Sequence, residues 1–344
     1  MKIGIMTLWW SNDNYGQLLQ CYALQKNLRD LGHEPFLIRY FPDNDIPRRK
    51  TPVIKKIFKA FNPKKLYHFI QSKIKRKKLE YEGTNNDRHF DSFRQKYISQ
   101  SSDVYSTLNE LRENPPQADA YIVGSDQVWN YYCQFKNPLH AYFLDFGSDS
   151  TKRLSYAASW GRSSISDDEI SEIAPLLKRF DYVSVREESG VGLCKKNGYD
   201  PAEWVVDPTL LLSAETYRNL YAENVIRKPE HKYMLLYMLG NECDFDINNV
   251  YKFAMRNKLD VVFVAGNGLI SKEKKYFATI PEWLYLVDNA EYVITNSFHC
   301  GVFSTIFHKR FGIVPLTGKF VGMNERIESL FELRGVGNRF ITDN

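Results

Sequence analysis

Four short segments of this chain set polar or titratable side chains directly after an apolar run: "WWSNDNYGQ", "IVGSDQVWN", "SVREESG" and "ITNSFHCG". In the last, Tyr292-Val293-Ile294 gives way to Thr295, Asn296, Ser297 and His299, and an apolar helical pattern resumes at Val302. A histidine in the first turn of a helix meets the positive end of the helix dipole, which favours the neutral imidazole. Such a group can accept or deliver a proton near pH 7. The bland alternative is a structural histidine bonded to Asn296 or to a backbone carbonyl. In "SVREESG", Arg186 closes an apolar strand, where a charge must find an anion. Glu187 or Glu188 would serve internally; otherwise the planar guanidinium suits a pair of carboxylate or phosphate oxygens. In "IVGSDQVWN", Ser125 and Asp126 follow the run at once, and Asp126 either takes a proton from a hydroxyl or caps the next helix. In the first segment, Asn14, Gly16 and Gln17 allow close backbone approach to a phosphate or carboxylate, with Gly16 free to take positive φ. The plain alternative there is an ordinary turn from strand to helix.

Such groups act together only if strand ends bring them together. "KIGIMTL" is a continuous apolar run of the kind buried on both faces of a parallel sheet. A helix follows with the stripe Cys21, Leu24, Leu28, Leu31, ending at Gly32, and "PFLIRY" gives the next strand. The alternation returns in "DAYIVG", "RLSYAAS", "YVSVRE" and "EWVVDP", with a helix opening at Ser166 and Glu169 completing its capping box. The segment Glu187–Asn197 reads as a helix stopped by Gly198. After the N-cap Ser213 comes the polar, loop-like stretch "AENVIRKPEHK", and a second set then starts at "YMLLYML" and runs through "LDVVFVAGNG", "EYVITNSFHC" and "RFGIV". The fold class expected is α/β with two Rossmann-like domains, 1–212 and 213–344, the first carrying a basic helical insertion at about 43–115. In an open α/β sheet, ligands bind at the carboxyl ends of the strands, which is where all four segments fall.

With 344 residues, 43% of them hydrophobic, the chain can build more than one core. No dinucleotide G-x-G-x-x-G or phosphate-loop motif occurs. The five cysteines form no C-x-x-C pair and read as reduced thiols in a cytoplasmic protein, which argues against a zinc site or disulfide framework. No apolar run reaches the length of a membrane span, and the N-terminus enters a strand without a signal-peptide layout. The net charge of +5 is local: thirteen Lys and Arg and no acid lie between Arg48 and Lys78. That segment reads either as a solvated helical hairpin or as a helix pair lying peripherally on an anionic membrane surface. No nucleic-acid motif accompanies the charge.

The blocks "NDNYGQLLQCYALQKNLRDLGH", "DAYIVGSDQVWN", "RLSYAASWG", "FDYVSVREESG", "VVDPTLLL" and "ITNSFHCGVFSTIFHKRF" resemble, in this order, the signature blocks of the polysaccharide pyruvyl transferase family. The resemblance implies two Rossmann-like domains facing across a cleft, as in GT-B glycosyltransferases. It implies transfer of pyruvate from phosphoenolpyruvate to a sugar of a cell-surface polysaccharide precursor, forming a ketal and releasing phosphate, with no metal and no bound cofactor. By the same resemblance His299 is the catalytic histidine and Arg186 holds the donor's anionic groups. Many members read D-R-L-H-G at the elbow; here Asn296-Ser297-Phe298-His299-Cys300-Gly301 lacks that arginine, so another cation compensates or a less charged donor is used. Asp126 is then expected to assist the acceptor hydroxyl, and Asn14, Gly16, Gln17, Ser125, Asn296 and Ser297 to line the substrate site. The acceptor is a saccharide, lipid-linked if the basic segment docks on the inner leaflet. Two rival readings stay open. One is a glycosyltransferase of the same architecture that stacks a nucleotide sugar near "AGNG" or on Trp283 and Tyr285. The other is a non-catalytic anion- or glycan-binding module.

Overall fold

The structure, a computed structural model, describes residues 1–42, 81–130, 136–240, 245–266 and 273–341, together with 70, 73, 74, 77, 78 and 268. Among these, seven strands form the first sheet: β1 (Lys2–Met6), β2 (Glu34–Tyr40), β3 (Gln100–Tyr105), β4 (Ala120–Val123), β5 (Lys152–Ala158), β6 (Tyr182–Val185) and β7 (Glu203–Trp204). Their spatial order is β3-β2-β1-β4-β5-β6-β7, and every pairing is parallel. The second sheet is also parallel, with β8 (Tyr233–Met238), β9 (Asp260–Ala265), β10 (Tyr292–Thr295) and β11 (Arg310–Ile313) in the order β11-β10-β8-β9. Two Rossmann-like sheets, as expected from the sequence, carry the molecule. Each reverses its direction of growth once, between β1 and β4 in the first and between β8 and β10 in the second. A crevice opens at the carboxyl ends of the strands at such a reversal.

The helices are α1 (Tyr15–Asp30), α2 (Phe90–Tyr97), α3 (Leu108–Glu113), α4 (Lys136–Tyr142), α5 (Asp167–Leu177) and α6 (Glu188–Lys196) in the first half. In the second half they are α7 (Ala214–Ala222), α8 (Ile247–Arg256), α9 (Ile280–Asp288), α10 (Phe298–Ile306) and α11 (Glu325–Arg334). Short 3₁₀ turns cover Pro208–Leu211 and Gly318–Asn324. Local chemistry sets several of these limits. Ser166 and Glu169 form the expected capping box on α5, Ser213 caps α7, and Gly198 follows α6 with φ of 78°. Helix α1 ends at Asp30, with Gly32 at φ 82°, but Leu31 is exposed and does not extend the apolar stripe.

Helix α1 is buried on two sides, and this joins the two halves. Leu24 and Leu28 pack with Ile3, Ile5 and Ile122 on the first sheet. Tyr15, Leu18, Leu19 and Tyr22 share a core with Leu235, Trp283, Phe298 and Phe303 of the second half. The Tyr15 ring stacks on Trp283 with centroids 5.1 Å apart, and its hydroxyl donates to the Ala278 carbonyl at 2.8 Å. Trp283 is fully buried in this contact, so it offers no face for a nucleotide base. A continuous apolar core across the junction also holds the two halves in one orientation more firmly than a polar linker would.

One boundary needs correction. The insertion expected at about 43–115 is shorter, because α2, β3 and α3 belong to the first domain and β3 pairs with β2 at the sheet edge. The sequence "QSSDVY" hides this strand: an edge strand has one neighbour, and here Tyr105 alone of its residues is buried. The basic segment 48–78, with its membrane-docking reading, lies outside the described residues except for 70, 73, 74, 77 and 78, which are helical. No helix among the described residues is long and apolar enough to cross a membrane.

Candidate active site

The carboxyl ends of β1, β4, β6, β7, β8 and β10 deliver their loops to one place. A cavity of about 210 Å³ there is lined from the first half by Asn14, Asp126 and Gln127. The second half contributes Leu239, Gly240, Asn296, Ser297, Phe298 and His299, and a wall of Leu316, Phe320, Met323 and Arg326 completes it. The two crevices thus form a single hollow. A larger hollow, of about 680 Å³, is lined by Lys2, Glu34 and Gln100 at the opposite, amino ends of β1, β2 and β3.

Behind the cavity sits a buried ionic cluster centred on Asp207, which follows the short strand β7. Its Oδ2 accepts from Arg186 Nη1 at 2.8 Å and from the Ser125 hydroxyl at 2.8 Å. Its Oδ1 accepts from the backbone N–H of Thr209 at 3.0 Å and from the Thr209 hydroxyl at 2.7 Å. The Nε2 of His299 lies 3.6 Å from Oδ2, just beyond hydrogen-bond reach. Burial alone would raise the Asp207 carboxyl; His299, Arg186 and Thr209 more than offset this and hold it well below the usual carboxylate range. Asp207 is therefore a fixed negative charge facing the imidazole.

His299 occupies the first turn of α10, whose N-cap is Ser297, with its hydroxyl accepting from the Cys300 N–H at 3.4 Å. Its Nε2 is buried against Asp207 without a hydrogen bond, its Nδ1 lies on the side of the ring that packs against Gly16 of α1, and the residue as a whole lines the cavity. A fixed carboxylate beside a ring that lines the cavity is the arrangement of an oriented proton carrier. Gly16 makes the arrangement sterically possible. A Cβ there would lie 2.1 Å from His299 Nδ1, so any side chain would push the ring out of place. The glycine is needed for this clearance and not for positive φ, since it lies within α1 and is absent from the left-handed residues.

The other expected residues divide clearly. Asn14 lines the cavity and caps α1, its Oδ1 accepting from the Gln17 N–H at 3.4 Å. Gln17 turns away, its Oε1 accepting from the Ser11 N–H at 2.8 Å. Asp126 lines the cavity at φ 76°, a left-handed conformation that a non-glycine residue adopts at some cost. Its Oδ1 accepts from the Gln127 N–H, and no helix follows directly for it to cap. Asn296 clamps the end of β8, accepting from the Leu239 N–H at 2.7 Å and donating to the Leu239 carbonyl at 2.9 Å. Ser125 is wholly buried in the ionic cluster. Arg186 is only 2% exposed, is bound to Asp207 and lies 4.4 Å from the centre of the Phe298 ring, so it backs the cavity without lining it. Cys300 is fully buried and its thiol is pushed up to about 12 by burial, so it does not enter the site.

Residues 14–315 match the family described as polysaccharide pyruvyl transferase, a span that contains His299, Arg186 and Asp207. The chain belongs to this family. No curated protein matches it. Among solved structures, this polysaccharide pyruvyl transferase family member is similar to UDP-GlcNAc 2-epimerase from Methanocaldococcus jannaschii (14% identity, 100% of this chain and 89% of that one, TM-score 0.48). It is similar also to UDP-N-acetylglucosamine 2-epimerase from Rickettsia bellii (8% identity, 97% and 88%, TM-score 0.47).

Two functional candidates in this family member escape a reading of the sequence. Asp207 stands in plain view before Pro208, but apart from Thr209 its partners come from three other strand ends, those of β4, β6 and β10. Arg326 lies in "NERIESLF", and its one signal is position: it precedes the buried Leu330 by one helical turn and so falls on the apolar face.

Proposed function

We propose that this protein transfers pyruvate from phosphoenolpyruvate to two hydroxyls of a sugar in a polysaccharide precursor, forming a cyclic ketal and releasing phosphate. The observation that supports this most is the held imidazole: His299 sits between Asp207 and Gly16 and lines a small cavity that Arg326 also lines. In this reading His299 gives a proton to C3 of the donor, so that positive character develops at C2. A sugar hydroxyl adds there as Asp126 accepts its proton. Phosphate then departs with the C2–O bond electrons and takes up that proton. The second hydroxyl closes the ring and returns a proton to His299. Two hydroxyl protons are consumed, one appearing in the new methyl group and one on phosphate, and no oxidant or reductant is needed. Proton transfer of this kind is worth about 10²–10⁴-fold in rate.

A cavity of about 210 Å³ suits the small donor rather than a saccharide. The acceptor enters, in this proposal, from the adjoining hollow of about 490 Å³ lined by Asn12, Asp13, Asp87, Arg88 and Gly266. That surface mixes hydroxyl-binding groups with the half-buried ring of Phe277, as sugars require. The test is release of phosphate from phosphoenolpyruvate with and without a mixture of bacterial glycan acceptors. Release that depends on the glycan is expected; turnover of a nucleotide sugar instead, with phosphoenolpyruvate inert, would overturn the proposal.

A further inference from the structure

A site for a small, highly charged anion needs a cation on its wall, and the expected one is engaged elsewhere. Arg186 is bound to Asp207 and Ser125 behind Phe298. The elbow residues Asn296 and Ser297 are neutral, and both use their side chains on backbone groups. Among the described residues that line the cavity, Arg326 is the one Lys or Arg. Its side chain is carried over the hollow by the turn Gly318–Asn324, which Asn324 fixes by accepting from the Leu316 N–H at 2.9 Å and donating to the Leu316 carbonyl at 3.0 Å.

Arg326 is 8% exposed. Its Nε donates to the Met323 carbonyl at 3.3 Å, and among the described residues neither terminal nitrogen has a protein acceptor or a carboxylate partner. Those nitrogens are also absent from the fully enclosed, unpartnered atoms, so they keep access to the cavity. Both Arg186 and Arg326 lie within 6 Å of the Phe298 ring centre, at 4.4 and 5.8 Å. Burial, joined by the repulsion of Arg186, pushes Arg326 down to about 10, a shift that an incoming anion would relieve. A guanidinium kept nine-tenths buried beside a like charge, with its fork unused, has only the Phe298 ring and the more distant carboxylates of Glu187 and Asp126 to offset its burial. Buried charges without partners are destabilising.

We infer that Arg326 grips the donor's carboxylate or phosphate through its free fork, the part that the elbow of this chain does not supply. The inference rests on the reading of the donor as phosphoenolpyruvate, and the experiment separates the two. Full-length protein is titrated calorimetrically with phosphoenolpyruvate and with inorganic phosphate, and thermal midpoints are measured without ligand. The wild type binds the donor; Arg326→Met loses about 100-fold in affinity, the scale of hydrogen bonds to charged groups. Without ligand, its midpoint equals or exceeds that of the wild type, because an unpaired buried charge has been removed. A purely structural arginine would instead give a lower midpoint with donor affinity unchanged. Arg326→Lys, which keeps the charge but not the planar fork, decides the matter if the Met variant does not fold: a loss of about tenfold supports the inference and unchanged affinity overturns it. Wild-type protein that binds neither probe contradicts the donor reading itself, whereas a wild type that binds with a Met variant within threefold contradicts only the role of Arg326.

Discussion

Replacing His299 with Ala is expected to lower kcat for phosphate release by about 10³-fold while leaving the apparent affinity for phosphoenolpyruvate within a few fold. The imidazole is the one group at the cavity whose ordinary pKa lies near neutrality. It touches Asp207 at 3.6 Å without forming a hydrogen bond, so its removal leaves the hydrogen bonds from Arg186, Ser125 and Thr209 to that carboxylate in place. The fold should survive, with an unchanged circular dichroism spectrum and a modest drop in thermal midpoint. Near-normal turnover in the Ala variant would remove His299 from the chemistry.

Asp207→Asn is expected to damage both stability and rate. The amide keeps the shape but not the charge, and Arg186 is then left buried with Glu187 at 3.4 Å as its remaining carboxylate contact. Breaking a buried pair in this way costs about 3–5 kcal/mol, measurable by urea unfolding at pH 7. The loss should depend on pH. Because the folded-state carboxyl of Asp207 is held below its unfolded value, its stabilisation is complete above about pH 4 and drains away as pH falls below that. The difference between wild type and variant should therefore shrink in acid. The rate should fall by about 10²–10⁴-fold, since nothing then orients the ring or balances its charge after protonation. A variant as stable and active as the wild type would show that Asp207 is a bystander.

The strand ends that carry the site were legible because each follows a continuous apolar run buried in a parallel sheet, as in "KIGIM", "AYIV" and "YVIT". Helix ends were legible wherever a cap or a left-handed glycine marked them. Strand β3 was not, because an edge strand has little apolar patterning to show. The role of Gly16 was misread for a related reason: a glycine announces that something comes close, and only the packing of α1 against α10 reveals that the close object is an imidazole. Asp207 and Arg326 act through partners distant in the chain, so their types and neighbours look ordinary. Trp283 looked available to a nucleotide base because its sequence surroundings are aromatic. The core joining the two halves takes that ring first.

The most direct test is a crystal structure of the protein with phosphoenolpyruvate bound. The donor should occupy the hollow between β4 and β10, with C3 within about 3.5 Å of a His299 ring nitrogen and an anionic group on Arg326. Donor density outside this hollow, or a donor whose C3 faces away from the imidazole, would contradict the account.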